Sequence, residues 1–593
     1  MKAERAIGIT ALSLLALLPA LEMALRHAGI PGLPGASALT QHLTLWVAFV
    51  GAALAAGTGR LLSLSANTFL REDTAAKVRV FTSALTAAVS LCLAWASLQF
   101  VLAERHGGAL LMSGVPKWTA EIVMPAGFLV IAIRAAAGAS PSNRLKCLGA
   151  LGLAVPAILY LIPPHQPWLV WSGAAILLGG AVLGLPIFAT LGGLALLLFW
   201  NAAVPVASVP VATYGLVASA FLPSLPLFTF AGYLLVEGGA SKRLLRAYTA
   251  LFGWLPGGLT ITTAVACAIF TFAGSGVTII SMGGLLLPML VKARYSERFS
   301  IGLINGSGSL GFLFPPSIPV ILYGIRSMTP ISTLFKAGFL PGMLMIAMVC
   351  AYGVWQGVRN RTERAAFSWR EARAAVWEAK WELAVPALVL VGLFGGLGTI
   401  VEAGAMTVVY SFVVECGILR TFSLRRDFPR VATECVIVVG GLLLIIGIAV
   451  GLTNYLVDAQ APEALTAWVA AHIHSKYVFL LLLNLVLLLK GSFMDIYSAI
   501  IVMVPILAPI AESFGIDPVQ MGIIFLANLE LGYLTPPIGM NLCYSAYRFK
   551  QPMTAVYRAT LPFYLILTAG VLLVTYVPQL TALSVEWLDR LGL

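Results

Sequence analysis

Residues 84–103 read ALTAAVSLCLAWASLQFVLA, twenty positions without a charge. A helix needs about 20 such residues to cross the hydrocarbon core of a bilayer. Comparable runs recur along the whole chain, and we count about 16 of them by that length, several interrupted. In lipid the backbone can satisfy its hydrogen bonds only within helices or within a closed barrel. Barrel strands would alternate apolar and polar residues over about 10 positions, a pattern not found here. The 593 residues, 60% hydrophobic and 10% charged with mean hydropathy +0.95, therefore read as an all-α polytopic membrane protein.

The net charge of +12 could suggest nucleic acid, but its distribution argues otherwise. Basic residues gather in short loops: Lys2 and Arg5; Arg71, Lys77 and Arg79; Arg144 and Lys146; Lys242, Arg243 and Arg246; Lys292, Arg294 and Arg298; Arg420, Arg425, Arg426 and Arg430. That is the positive-inside signature, with the N-terminus in the cytoplasm. No basic domain exists to bind nucleic acid, so none is expected as a partner. The first 26 residues, MKAERAIGITALSLLALLPALEMALR, resemble a signal peptide but lack paired small residues at cleavage spacing, so a retained first span is expected. Seven scattered cysteines form no C-x-x-C, which removes zinc and iron–sulfur readings. The six histidines lie at segment ends or in loops, away from a haem-ligand pattern. No phosphate-binding G-x-x-x-x-G-K-[ST] occurs.

Residues 1–140 hold four spans, near 7–25, 43–61, 81–103 and 121–138. A fifth apolar run within 141–166 reads as a connecting transmembrane helix, and a larger block fills 167–593. A charged stretch near 363–383, with Trp369, Ala372, Val376, Ala379 and Leu383 at helical spacing, reads as an amphipathic helix on the cytoplasmic surface. It separates two halves, about 210–345 and 385–560, that repeat each other. GSGVTIISMGGLLLPML (274–290) matches GSFMDIYSAIIVMVPIL (491–507) at an offset of 217, and GFLFPP (311–316) matches GYLTPP (532–537) at an offset of 221.

Glycine and proline interruptions at corresponding places in two halves point to a transporter's binding site. The clearest is NGSGSLGFLFPPSIP at 305–319. Irregular backbone at membrane depth is tolerated only where it is buried in protein or lines a cavity. Proline lacks an N–H and displaces the carbonyl four residues earlier. Pro315 and Pro316 should thus free the carbonyls of Gly311 and Phe312, and Pro536 and Pro537 those of Gly532 and Tyr533. Such oxygens suit a small cation, while helix N-termini beside them suit an anion.

With those motifs, SLPLFTFAGYLL (224–235), GWLPGGLTITTAVACAIFTFAGSG (253–276) and NLELGYLTPPIGMNL (528–542) resemble the large membrane subunit of tripartite ATP-independent periplasmic (TRAP) transporters. The likeness covers most of 168–570, and residues 1–140 are similar in length and topology to the family's small four-span subunit. The resemblance implies a fused permease and no enzyme. It also implies sodium-coupled uptake of an organic acid handed over by a periplasmic substrate-binding protein, through two re-entrant hairpins and two unwound helices of an inverted-repeat elevator. It implies no cofactor beyond sodium as coupling ion, a bacterial inner-membrane location, and a monomeric fused unit in the bilayer. Carried over by motif, GSG (274–276) and GSFMD (491–495) would be hairpin tips. A first sodium site would fall on Ser275, Asn305, Ser307 and carbonyls around Gly311, Phe314 and Pro316. A second would fall on Gly396, Thr399, Asp495, Gly532 and Thr535. The chain departs from the family's G-x-x-T-P-T-E at GLGTIVE (396–402), where Ile400 and Val401 replace proline and threonine.

Intramembrane ionisable groups are functional candidates by default. Asp495 is an ion-site candidate facing Thr278 of the other repeat; Glu402 and Glu530 divide between helix-start and ion roles. Lys490 and Arg326 could pair a substrate carboxylate or snorkel to the interface, and Ser492 and Asn528 are further substrate candidates. Two alternatives stay open: a single-component sodium/anion symporter, and the membrane subunit of a redox complex.

Overall fold

The computed structural model describes residues 2–63, 72–112, 114–138, 163–271, 274–360, 366–394, 398–493, 496–536 and 539–590. It is helical almost throughout. Among the described residues, 8 helices are long and apolar enough to cross a membrane, or up to 9 counting a bent pair, and further apolar helices run 10–17 residues. Several of the remaining apolar runs form these shorter helices, among them those of the hairpins and broken helices. The run at 147–162, read as a connecting helix, lies outside the described residues.

One compact unit comprises Met1–Leu227 and Arg425–Ala461. Its centre is the 32-residue helix Asp427–Asp458, apolar all round and 94% buried over its central window. Ala36–Gly57 crosses it on glycines. A Cβ added at Gly51 would lie 2.0 Å from the Val436 carbonyl oxygen, and one at Gly440 would lie 2.4 Å from the Gly51 Cα. Small residues at such crossings let helices approach where no hydrophobic effect drives them together. The four N-terminal helices therefore do not close a unit by themselves; they gather with 167–227 around a helix from far along the chain. Arg134 reinforces the cluster, donating to both Glu4 carboxylate oxygens at 2.8 and 2.6 Å and to the Ala53 carbonyl at 2.5 Å.

The other unit, Phe228–Leu424 with Pro462–Leu593, is built on the repeat. Each half has a hairpin: Gly258–Phe270 with Ser275–Lys292, and Lys476–Phe493 with Ile496–Ser513. Each then has a broken helix: Glu297–Ser307 followed by Ile318–Ser327, and Pro518–Gly532 followed by Met540–Phe549. A long helix closes each half, Ile331–Arg359 and Met553–Tyr576. The returning hairpin helices are both 18 residues and the post-break helices both 10. N-caps Ser296 and Asp517 correspond, as do the left-handed residues Met328 (φ 55°) and Lys550 (φ 53°).

The N-caps Ser296 and Asp517 are 221 apart, the offset of the two break motifs, whereas the hairpin motifs match at 217. The two offsets differ by four residues, about one helical turn. Pro505 and Pro509 both lie inside Ile496–Ser513, and a four-residue slip keeps the same helix face, so either proline could match Pro288. Of the expected tip 491–495, Gly491, Ser492 and Phe493 are helical, and 494–495 lie outside the described residues.

Of the expected surface helix 363–383, residues 363–365 lie outside the described residues and Trp369–Glu378 is helical, burying Ala372 and Ala375 while Trp369 is 78% exposed. A new helix starts at Lys380.

Candidate functional site

Each break is tied to its own hairpin. In the first half, Glu297–Leu313 and Ile318–Ser327 are bent by 44°. The Thr271 hydroxyl donates to the Gly308 carbonyl at 3.2 Å, and Gly311 lies so close to the hairpin that a Cβ would sit 1.9 Å from the Ala268 carbonyl oxygen. In the second half, a Cβ on Gly491 would lie 2.8 Å from the Gly532 Cα. The Gly539 N–H donates to the Ser492 carbonyl at 3.1 Å, and the Ile496 N–H to the Tyr533 hydroxyl at 2.9 Å. The post-break helices then cross over. Ile318–Ser327 packs on Ile496–Ser513, and Met540–Phe549 packs on Ser275–Lys292, where Gly276 and Gly283 touch Tyr544 and Phe549. Hairpins and breaks of both halves thus form one packed cluster.

The freed carbonyls differ from the expectation. A short 3₁₀ turn, Leu310–Leu313, follows the first helix, and the Gly311 carbonyl accepts the Phe314 N–H at 3.1 Å. Gly532 accepts the Thr535 N–H at 3.0 Å, and Tyr533 accepts the Asn541 N–H at 3.2 Å. For Gly311 and Gly532 the chain tightens at a helix end and finds an i+3 donor, while Tyr533 is served from the start of the post-break helix. A carbonyl has two lone pairs, so each retains one for a ligand. Pro537 lies outside the described residues.

Around the first break, unpartnered oxygens accumulate. Asn305 is fully buried; its Nδ2 donates to Thr560 Oγ1 at 2.9 Å, and its Oδ1 has no partner. Asn541, also fully buried, donates through Nδ2 to the Asn305 carbonyl at 3.5 Å, and its Oδ1 likewise has none. The hydroxyls of Ser307, Ser309 and Ser545 are buried without partners. Ser275, 4% exposed, opens the returning helix of the same hairpin. An unsatisfied buried polar group costs about 1–3 kcal/mol, so five together are held for something that satisfies them. Asn541, Ser545, Ser309 and Thr560 escaped the sequence reading. Their signal was the 541/545 spacing, two polar residues one turn apart on one helix face.

The second break is more polar-satisfied. Thr535 Oγ1 donates to the Leu531 carbonyl at 3.1 Å, and Ser492 Oγ to the Leu489 carbonyl at 2.7 Å. Asn528, one turn before Gly532, donates to Asn484 Oδ1 at 2.6 Å and to the Ile524 carbonyl at 2.8 Å, leaving only Oδ1 without a partner. With both N–H groups engaged it presents an acceptor, which suits a cation better than a carboxylate. Glu530 is 1% exposed, with neither oxygen partnered.

The remaining candidates separate from the breaks. Thr399 and Glu402 form a capping box, Glu402 Oε2 accepting the Thr399 N–H at 2.7 Å and Thr399 Oγ1 accepting the Glu402 N–H at 3.3 Å. No hydrogen bond joins Thr399 to Gly532 or Thr535 among the described residues. Gly396 and Asp495 lie outside them. Thr399→Ala is expected to cost about 1 kcal/mol through the lost cap, read by thermal unfolding, with Thr399→Ser near wild type; equal loss in both would deny the cap its role. Lys490 lies exposed in the last turn of Lys476–Phe493, beside the Gly491–Gly532 approach. Arg326 ends its helix, roughly 12 Å along the axis from the break at 1.5 Å per residue, and its Nε is buried without a partner. Its repeat counterpart, Arg548, also ends its helix. Both sit where helix carbonyls attract cations.

Comparison with known proteins gives a consistent picture. Residues 174–580 match the model of the tripartite ATP-independent periplasmic transporter DctM component, and residues 15–140 match that of the DctQ component. The chain is 31% identical over 440 residues to the C4-dicarboxylate TRAP transporter large permease protein DctM of Vibrio cholerae serotype O1, covering 70% of this chain and 96% of the relative. It is 30% identical over 482 residues to the isethionate TRAP transporter permease protein DctMQ of Oleidesulfovibrio alaskensis, covering 79% and 75%. Among solved structures, the Alcanivorax borkumensis YdaH transporter aligns at TM-score 0.46 and 16% identity over 72% of this chain and 99% of that one.

Proposed function

Because this chain belongs to the tripartite ATP-independent periplasmic transporter family, with both membrane components in one polypeptide, we propose that it takes up an organic anion by sodium symport. The anion is handed over by a periplasmic binding protein. Residues 1–140 serve as the small component, 141–166 as the join and 167–593 as the large component, in a bacterial inner membrane with the N-terminus cytoplasmic. A single observation carries the coupling ion: the buried groups left unpartnered around the first break are all oxygens. The two amide oxygens can only accept, and the three hydroxyls can turn lone pairs to the same ligand, which is what a hard cation in a dry site requires.

The first sodium is held by Ser275, Asn305, Ser307 and the carbonyls of Gly311, Phe314 and Pro316, with Asn541 joining from the other half. The second uses Gly532 and Thr535 with Gly396, Thr399 and Asp495. Bonded to one another, the hairpins and broken helices move as one body in an elevator cycle. Relatives named for C4-dicarboxylate and isethionate support an organic anion as cargo. Lys490 offers that anion a charge beside the second break, and Ser492 adds a hydroxyl.

Two arms test this reading in proteoliposomes, with the neighbouring gene's product as binding protein. Omitting the binding protein is expected to reduce uptake to background. Lys490→Met is expected to lower uptake by about tenfold or more, the worth of one charge-assisted bond, and Lys490→Arg to restore part of it. Full uptake without the partner contradicts the tripartite reading, and wild-type kinetics in Lys490→Met remove the lysine from the anion site.

A further inference from the structure

A groove of about 420 Å³ lies between the amphipathic helix Ala240–Phe252, the returning hairpin helix Ser275–Lys292 and the start of Trp369–Glu378. Its floor is apolar, formed by Leu245, Trp254, Leu285 and Met289, and its rim is charged. Arg246 on that rim is already committed, its guanidinium bonded to two carboxylates, Glu371 at 2.9 Å and Glu378. Lys242, also on the rim, has no ion-pair or hydrogen-bond partner among the described residues, and Lys292 lies exposed one turn beyond Met289. Ser368, which lines the groove, caps the helix that starts at Trp369, so the free N–H groups of that first turn open nearby. Aromatic residues crowd the same edge: Trp254 is 46% and Trp369 78% exposed, and Phe367 lies edge-on to both at 5.8 and 5.2 Å.

We infer that this groove binds a membrane phospholipid with an anionic headgroup. An apolar trough lined by the unpaired Lys242, with Lys292 one turn beyond its lining residue Met289 and a helix N-terminus at Ser368, matches a molecule with a chain at one end and a phosphate at the other. Exposed tryptophans beside lysines are the mark of a bilayer interface, which separates a lipid from a soluble anion. The phosphate rests on Lys242 and Lys292, and the first part of one acyl chain lies along Leu245, Trp254, Leu285 and Met289.

The full-length protein, delipidated in detergent, should be titrated with phosphatidylglycerol, phosphatidylcholine or inorganic phosphate, with native mass spectra and thermal unfolding as readouts. Phosphatidylglycerol is expected to remain bound at one copy and raise the unfolding temperature, while phosphatidylcholine and phosphate do neither. Lys242→Gln and Lys292→Gln should each weaken the bound copy by about fivefold, and Lys242→Arg should retain it. Equal retention of both lipids, undiminished retention in the double variant, or the same stabilisation by phosphate alone would each overturn the assignment. Should a glutamine variant fail to fold, the comparison of lipids on the wild-type protein still decides it.

Discussion

Replacing Arg243 by methionine is expected to destabilise the protein by about 3–5 kcal/mol, the cost of leaving buried charges unpaired. Its Nε lies 2.5 Å from Glu382 Oε1 and its Nη2 2.5 Å from Glu415 Oε1, while Nη1 donates to the Gly238 carbonyl at 3.0 Å. The two carboxylate side chains are 1% and 0% exposed. Thr421 Oγ1 donates to Glu415 Oε2 at 2.5 Å, and Gly238 leaves the room: a Cβ there would lie 2.2 Å from the Glu415 carboxyl carbon. One guanidinium thus joins Ala240–Phe252, Lys380–Phe394 and the π-helical turn Val413–Ile418. Without it two carboxylates face each other in a dry site. Set against a typical total stability of about 5–15 kcal/mol, that loss removes a large share of the margin and should sharply lower the folded yield. The triple variant Arg243→Met, Glu382→Gln, Glu415→Gln removes the charges along with the bridge and should recover most of the folded yield. Size-exclusion profiles and unfolding temperatures of both variants check the argument; a single variant as stable as wild type would refute it. Arg246, bonded to Glu371 and Glu378 on the surface, is the control, and its loss should matter little.

Asn305→Ala combined with Asn541→Ala is expected to weaken sodium binding by more than about tenfold while leaving the fold intact. Each side chain carries a buried, unpartnered Oδ1. Each contributes about one neutral hydrogen bond of roughly 1 kcal/mol to the apo protein, through Asn305 Nδ2 to Thr560 and Asn541 Nδ2 to the Asn305 carbonyl. If sodium completes those oxygens, removing two ligands costs far more affinity than stability. The measurement is the sodium-induced rise in unfolding temperature against sodium concentration. An unchanged half-saturation at normal yield would take both residues out of the site.

How much of this was legible in the sequence depended on whether a residue's partner was local. The spans, the repeat and the two breaks could be read because apolar length, glycine and proline act within a few positions. The helix-start role of Glu402 was legible, since the two bonds it shares with Thr399 close over three residues. Arg243 was not, because Glu382 and Glu415 lie 139 and 172 residues away. It counted only as one more basic residue of a cytoplasmic loop. The hairpin motifs match at an offset one turn shorter than the break motifs, and Pro505 and Pro509, four residues apart in one helix, offer both registers the same face. Asn541 was quoted within a motif but given no role, since its closeness to Asn305 exists only after Met540–Phe549 packs on the opposite half's hairpin. The central helix of the first unit, Asp427–Asp458, likewise could not be assigned to the N-terminal helices by sequence, because packing through Gly51 and Gly440 leaves no local trace.

The central claim is that cation binding at the breaks drives anion uptake. Its most direct test is initial uptake into proteoliposomes, with ligand-loaded binding protein outside, as the sodium gradient alone is varied. Uptake is expected with sodium high outside, background uptake when potassium replaces sodium, and loss of the sodium response in the Asn305→Ala, Asn541→Ala protein. Uptake at the same rate without sodium, at the same membrane potential, would contradict it.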